Sequence, residues 1–329
     1  GFNPNDVPAM NRARSARGRA RRPNAAGMAH MTLTHDQLNG LYTAIVTPLT
    51  GDGAVDVKAL HQLVRFQLDA GAAGIVPIGG TGEYPAFSRD ERRRIVAACV
   101  EAADGKPVIP GVLSTGFEDA LEAGRDFAAA GAAAVMTVTP YYAPGTQDGM
   151  RAYFRRYRDA LDLPVMLYQI PRRTTVAAFA DTVQAMAEDG SIIGMKYSSY
   201  DMPDFIRTVK YAGDKIAILS GEEPLFATHV ALGARGGVLA SATIYPKIWI
   251  EIFELARQGK LKEALKLQDK VDPVIDSIYV ETNPGPLKEY MALAGMPVGG
   301  VRLPLTGPSD QTMAKLRVAA AQAKAISLA

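Results

Sequence analysis

A single cysteine, Cys99, stands among 329 residues, inside the apolar helical stretch Ile95-Val96-Ala97-Ala98-Cys99-Val100. One thiol cannot build a disulfide framework or a multi-cysteine zinc site, so it reads as a packed core residue. Histidine is nearly as scarce. His30, His35, His61 and His229 are scattered without ligand spacing, which argues against a zinc-dependent aldol reaction, and neither metal nor cofactor is expected. No apolar run approaches the roughly 20 residues of a membrane span, so a soluble, cytoplasmic protein is expected.

Acidic residues are missing from one end. Residues 1–35 hold Arg12, Arg14, Arg17, Arg19, Arg21 and Arg22 against Asp6 alone, and show no apolar periodicity. The rest of the chain keeps 30 basic and 33 acidic residues of the 36 and 34 in the whole, a formal net charge of −3. The basic character therefore belongs to the leader, and the body gives no reason to expect nucleic-acid binding. The leader lacks the apolar segment of a secretory signal and reads as disordered; a transit segment is the alternative.

What the chain does have is regular alternation. Short β-like runs occur at Leu41–Thr47, Gly74–Ile78, Pro107–Val112, Ala134–Thr139, Pro164–Ile170, Ile192–Lys196, Ala217–Ser220 and Gly236–Ala240. Amphipathic stretches separate them, such as Asp56–Ala70, with Leu60, Leu63, Val64 and Leu68 on one helical face. Eight βα repeats call for a parallel sheet and close naturally into a (β/α)8 TIM barrel, with a doubly wound open sheet as the alternative. After residue 258 the pattern turns helical over Leu261–Val280, a segment after Pro286, and Ser309–Ala325. The expected organisation is a leader over 1–35, a catalytic barrel over 36–258 and a C-terminal helical extension over 259–329.

In such a barrel, chemistry gathers where strands end and βα loops begin. Lys196 closes the run Ile192-Ile193-Gly194-Met195 and precedes Tyr197-Ser198-Ser199. Burial disfavours the charged form of an amine, so a lysine held there can act as a nucleophile toward a carbonyl carbon. A strand-end lysine can equally snorkel to water. The second strand is followed by Gly79-Gly80-Thr81-Gly82-Glu83, whose glycines expose backbone N–H donors and whose threonine adds a hydroxyl, a cradle suited to a small carboxylate. A glycine-rich turn is more often only a turn. The fourth strand ends in Thr139-Pro140-Tyr141-Tyr142 and the fifth runs from Tyr168 through Arg172 and Arg173 to Thr174. Together an amine, a phenol, a carboxylate cradle and an arginine suffice for imine chemistry on a 2-keto acid.

From about Leu41 to Pro308 these motifs, with Asn283-Pro284-Gly285-Pro286-Leu287-Lys288, resemble the pyruvate-dependent class I lyases typified by dihydrodipicolinate synthase and N-acetylneuraminate lyase. The resemblance implies Lys196 as the Schiff-base lysine, Tyr168 as proton shuttle, and Tyr142 as a catalytic residue reaching into a neighbouring subunit, hence a homo-oligomer, a dimer or a tetramer. It further implies pyruvate binding at Gly80, Thr81 and Leu239, and a carboxylate of the second substrate on Arg173. The activity implied first is the condensation of pyruvate with aspartate 4-semialdehyde, a step of lysine biosynthesis.

Two departures keep other readings open. Gly80 stands where the synthases carry a threonine or serine that relays protons, a pattern similar to the family's sugar-acid dehydratases. Tyr197-Ser198-Ser199 replaces the usual Glu-Ala-Ser/Thr and is closer to the sialate lyases. A keto-sugar-acid lyase or dehydratase is thus the alternative activity, and a non-catalytic keto-acid-binding barrel is the alternative of another class.

Overall fold

The structure, a computed structural model, describes residues 33–323. Eight parallel strands, β1 (Gly40–Ala44), β2 (Gly74–Val76), β3 (Gly111–Val112), β4 (Val135–Val138), β5 (Val165–Gln169), β6 (Gly194–Tyr197), β7 (Ala217–Ser220) and β8 (Gly236–Leu239), run in the order β2-β1-β8-β7-β6-β5-β4-β3. A parallel bridge between Ile75 and Val108 links β2 to the segment leading into β3, so the sheet closes on itself. The expected (β/α)8 barrel is the observed fold.

Side chains alternate along each strand. Tyr42, Val76, Met136, Met166, Tyr168, Leu219 and Val238 fill the barrel, whereas Leu41, Ile75, Val165, Met195, Ile218 and Leu239 pack outward under the helices. The third strand is far shorter than the expected Pro107–Val112, because Pro107 and Pro110 have no N–H to give to a ladder.

The outer layer comprises α1 (Val57–Asp69), α2 (Arg89–Ala103), α3 (Phe117–Ala129), α4 (Gln147–Ala160), a single turn α5 (Pro171–Thr174), α6 (Ala180–Glu188), α7 (Met202–Ala212), α8 (Phe226–Ala231) and α9 (Pro246–Arg257). Side chains close the orphan amides at several starts: Asp56 accepts from Ala59 N at 2.9 Å, and Ser88 and Glu91 form a capping box at α2. Leu60, Leu63 and Val64 of α1 are buried as the periodicity predicts. The α5 turn was not legible as a helix, and α8 is preceded directly by a 3-10 turn at Glu223–Leu225.

The extension contains α10 (Leu261–Gln268), α11 (Asp272–Ile278), α12 (Gly285–Leu293) and α13 (Asp310–Gln322). The continuous helix expected over Leu261–Val280 is thus two helices, with Pro273 in the first turn of the second. The extension is bonded to the barrel: Gln268 donates to Pro224 O at 3.0 Å, and the Tyr245 and Tyr290 hydroxyls meet at 2.8 Å. At the other end Leu33 is buried in the barrel floor. Residues 1–32 of the Arg-rich leader lie outside the described residues. Among the described residues no helix is long and apolar enough to cross a membrane.

Candidate active site

Lys196 is an inward-facing residue near the end of β6, and its register partner on β5 is Tyr168. The two side chains therefore project from the same face of adjacent strands, and the Lys196 Nζ lies 4.7 Å from the centroid of the Tyr168 ring. Lys196 is only 7% exposed. Its amine opens into a cavity of about 580 Å³ at the C-terminal mouth of the barrel. Space for the lysine comes from Gly221, just after β7: a Cβ there would sit 2.7 Å from Lys196 Cε.

The turn after β2 forms one wall. Gly82 packs so closely on the preceding backbone that a Cβ would lie 2.6 Å from Ile78 Cα, and Glu83 adopts the left-handed conformation at φ 59°. The turn is closed by Glu83 N donating to Gly80 O and Tyr84 N donating to Gly79 O, both at 3.2 Å. The Gly80 and Thr81 N–H groups have no acceptor among the described residues. Both residues line the cavity, so their two free amides are available to an anion. Thr81 Oγ1 accepts a hydrogen bond from Asn283 Nδ2 at 2.9 Å.

Beneath the turn lies a buried ion pair. Lys288 Nζ is 2.7 Å from the Glu83 carboxylate and donates to Thr47 O and Gly300 O at 2.7 and 2.6 Å. Burial pulls the Lys288 ammonium below the ordinary lysine value, and Glu83 opposes that shift. Arg302 N donates to the other Glu83 oxygen at 2.9 Å. The extension thus pins the turn.

Two adjacent arginines have different surroundings. Arg172 is paired with the buried Glu222 carboxylate and reaches Ser198 O at 3.4 Å. Burial raises the Glu222 carboxyl above its ordinary value, and Arg172 counteracts part of the rise. Arg173 has no side-chain partner among the described residues and lies over the cradle, its Nη1 3.9 Å from where a Gly80 Cβ would stand. Glu223 is committed to structure: it accepts from Ala240 N and Ser241 N at 2.9 and 3.1 Å and from the Tyr279 hydroxyl at 3.0 Å.

The cavity thus brings together Lys196, Tyr168, Gly80, Thr81 and Arg173. Tyr142 is not among its lining residues. It is 92% exposed and held at φ 72°, projecting from the molecule, while its neighbour Tyr141 donates to Leu113 O at 2.9 Å. Leu239 also lies elsewhere: it packs outward in the sheet–helix layer, and Val238 and Ala240 on either side face the cavity. Tyr197 likewise points outward, donating to Asp204 Oδ2 at 3.0 Å, so Ser198 is the member of Tyr197-Ser198-Ser199 that meets the cavity. Glu222, Tyr279 and Asn283 went unassigned in the sequence, although Glu222-Glu223 directly follows a strand and could have been found by the strand-end rule. Among the described residues no cluster of three His, Cys, Asp or Glu side chains could hold a metal ion.

A buried lysine at a strand end of a closed parallel barrel, facing free amides and a tyrosine, defines the class of lysine-dependent Schiff-base lyases. Residues 37–323 match the model of the dihydrodipicolinate synthetase family, and this chain belongs to that family. It is 34% identical over 292 residues to the 4-hydroxy-tetrahydrodipicolinate synthase of Bradyrhizobium diazoefficiens, spanning 88% of this chain and 98% of that protein. Identity to the protein of the same name from an Anaeromyxobacter species is 38% over 283 residues, 85% of this chain and 96% of that one. Among solved structures, the chloride-inhibited dihydrodipicolinate synthase of Acinetobacter baumannii complexed with pyruvate superposes with a TM-score of 0.84 at 32% identity, over 88% of this chain and all of that one. A monomeric dihydrodipicolinate synthase variant matches with a TM-score of 0.85 at 30% identity, over 89% and 99% of the two chains.

Proposed function

We propose that this chain joins pyruvate to aspartate 4-semialdehyde through a Schiff base on Lys196, as a 4-hydroxy-tetrahydrodipicolinate synthase. The observation that carries the reading is the convergence of a buried lysine, two acceptor-free amides and an unpaired guanidinium in one cavity. Relatives bearing that name, matched over most of both chains, support it.

Lys196 Nζ adds to C2 of pyruvate, and the carbinolamine loses water to give an iminium. The iminium draws electrons from the neighbouring bond, so a C3 proton leaves and an enamine forms. Its C3 attacks the aldehyde carbon of the second substrate, whose oxygen takes up a proton; the amine of that substrate then adds to C2 and expels the Lys196 amine, closing the ring and freeing the lysine, and Tyr168 carries the protons in and out. The pyruvate carboxylate rests on the Gly80 and Thr81 amides and the Thr81 hydroxyl, with Val238 as the β8 side chain beside it. Arg173, with no side-chain partner among the described residues, receives the carboxylate of the aldehyde through charge-assisted bonds. On this reading the chain serves lysine biosynthesis as a cytoplasmic enzyme. The exposure of Tyr142 at a left-handed backbone position suits a side chain that completes a second subunit's site in a homo-oligomer.

A second reading has its own support. Gly80 provides no relay hydroxyl, and Glu222 adds a buried hydrogen-bond acceptor to the cavity, features that suit the hydroxyls of a keto-sugar acid. A panel of purified substrates separates the two. Turnover of pyruvate plus aspartate semialdehyde, coupled to a reductase, supports the synthase; turnover of deoxy keto-sugar acids alone overturns it.

A further inference from the structure

Asn283 lies in the connection between α11 and α12, 202 residues from Thr81 in sequence, and bonds to it across the cavity wall. It is 9% exposed, and its Oδ1 is buried without a donor among the described residues. The orientation of this amide matters. Asn283 Nδ2 faces Thr81 Oγ1, so the amide donates and the threonine oxygen accepts, and the orphaned atom is the amide oxygen, a commoner orphan than a buried N–H. In the observed orientation Asn283 Nδ2 occupies a lone pair of Thr81 Oγ1. The hydroxyl proton then has no acceptor among the described residues and is free to turn into the cavity, beside the Gly80 and Thr81 amides.

We propose that Asn283 is a positioning residue: it holds the Thr81 hydroxyl as a donor, so that three hydrogens, one O–H and two N–H, converge on the carboxylate of the bound 2-keto acid. The inference rests on the imine reading of the same cavity and adds a residue that acts through Thr81 without touching the reacting carbon. The extension also anchors the other end of the cradle, through Lys288 and Glu83. Recognition of the carboxylate is therefore built jointly by the β2 turn and the C-terminal helices.

The test compares two carbonyl probes that differ in the carboxylate, pyruvate and acetone. Each is trapped on the enzyme by borohydride, and the adduct is measured by mass spectrometry across probe concentration. Asn283→Leu removes the amide at similar volume. Asn283→Asp, assayed well above the carboxylate range, keeps the shape but accepts the Thr81 proton instead of leaving it free. The preference for pyruvate over acetone is expected to fall about 10- to 100-fold in either variant, the range for a hydrogen bond to a charged group. Thr81→Val should lower it similarly, and combining Thr81→Val with Asn283→Leu should lower it little further. A parallel loss for both probes, an unchanged preference, or fully additive losses overturn the proposal while leaving the imine intact. Absence of any adduct on the wild-type chain overturns both.

Discussion

Gly221 and Lys196 occupy neighbouring strand ends so tightly that a single methyl group on the glycine would meet the lysine side chain 2.7 Å from its Cε. The nearest atom is Ser198 Oγ, followed by the lysine carbons, all on side chains, so an alanine there displaces Ser198 and Lys196 together. Gly221→Ala is expected to stay folded and to lose about 10²-fold in the rate of imine formation with pyruvate, the scale of an ångström-sized misplacement. Rapid borohydride trapping measures it. An unchanged rate would mean that Lys196 does not react from its observed position.

Gly80 has the opposite character. A Cβ there meets nothing closer than Arg173 Nη1 at 3.9 Å, so Gly80→Ser fits without displacing backbone. Stability should change by no more than about 0.5 kcal/mol in denaturant unfolding. If the chain runs the synthase reaction, adding a hydroxyl to the cavity wall here leaves turnover of pyruvate and aspartate semialdehyde equal or higher. A large drop would show that the empty space is used by a substrate group.

Arg172 and Arg173 are adjacent in sequence and predict different phenotypes. Arg173→Ala should raise KM for a carboxylated aldehyde about 10- to 100-fold with the fold unaffected, because no protein partner is abandoned. Arg172→Ala leaves the buried Glu222 without its cation and should cost about 1–3 kcal/mol of stability. Steady-state kinetics and unfolding of the two variants check the division. Equal KM effects without a stability difference would contradict it.

Burial holds the imidazole of His229 down to about 4, with Nδ1 bonded to the Ser220 hydroxyl at 2.8 Å and the ring stacked on Phe205. Between pH 6.5 and 4 the unfolded chain therefore binds a proton that the folded chain refuses. Stability falls as pH drops through that window, by up to about 3 kcal/mol from this group. His229→Phe should flatten the slope of unfolding free energy against pH by up to one proton in the same window. An identical slope in both chains would show that His229 is not buried as a neutral base.

The strand count, the barrel and the position of Lys196 were legible because periodicity and strand-end placement are local properties. Leu239 was displaced from the site by one residue, and in a strand a one-residue slip exchanges the two faces: Val238 points in and Leu239 points out. Tyr197 was overweighted for the same reason, since it alternates outward from Lys196. Glu222 was within reach of the strand-end rule, but its partner was not, and Asn283 has a role that comes only from tertiary contact. Nothing near Asn283 in sequence signals Thr81, 202 residues away, and the choice of Arg172 over Arg173 as partner for Glu222 is decided only when the segments after β5 and β7 meet across the end of β6.

The central claim is that Lys196 forms an imine with a 2-keto acid. Borohydride reduction in the presence of pyruvate, followed by intact mass and peptide mapping, tests it most directly. The account predicts one reduced pyruvyl adduct per chain, on the peptide containing Lys196, and none on Lys196→Ala. An unmodified wild-type chain, or equal adduct on the Lys196→Ala chain, would contradict it.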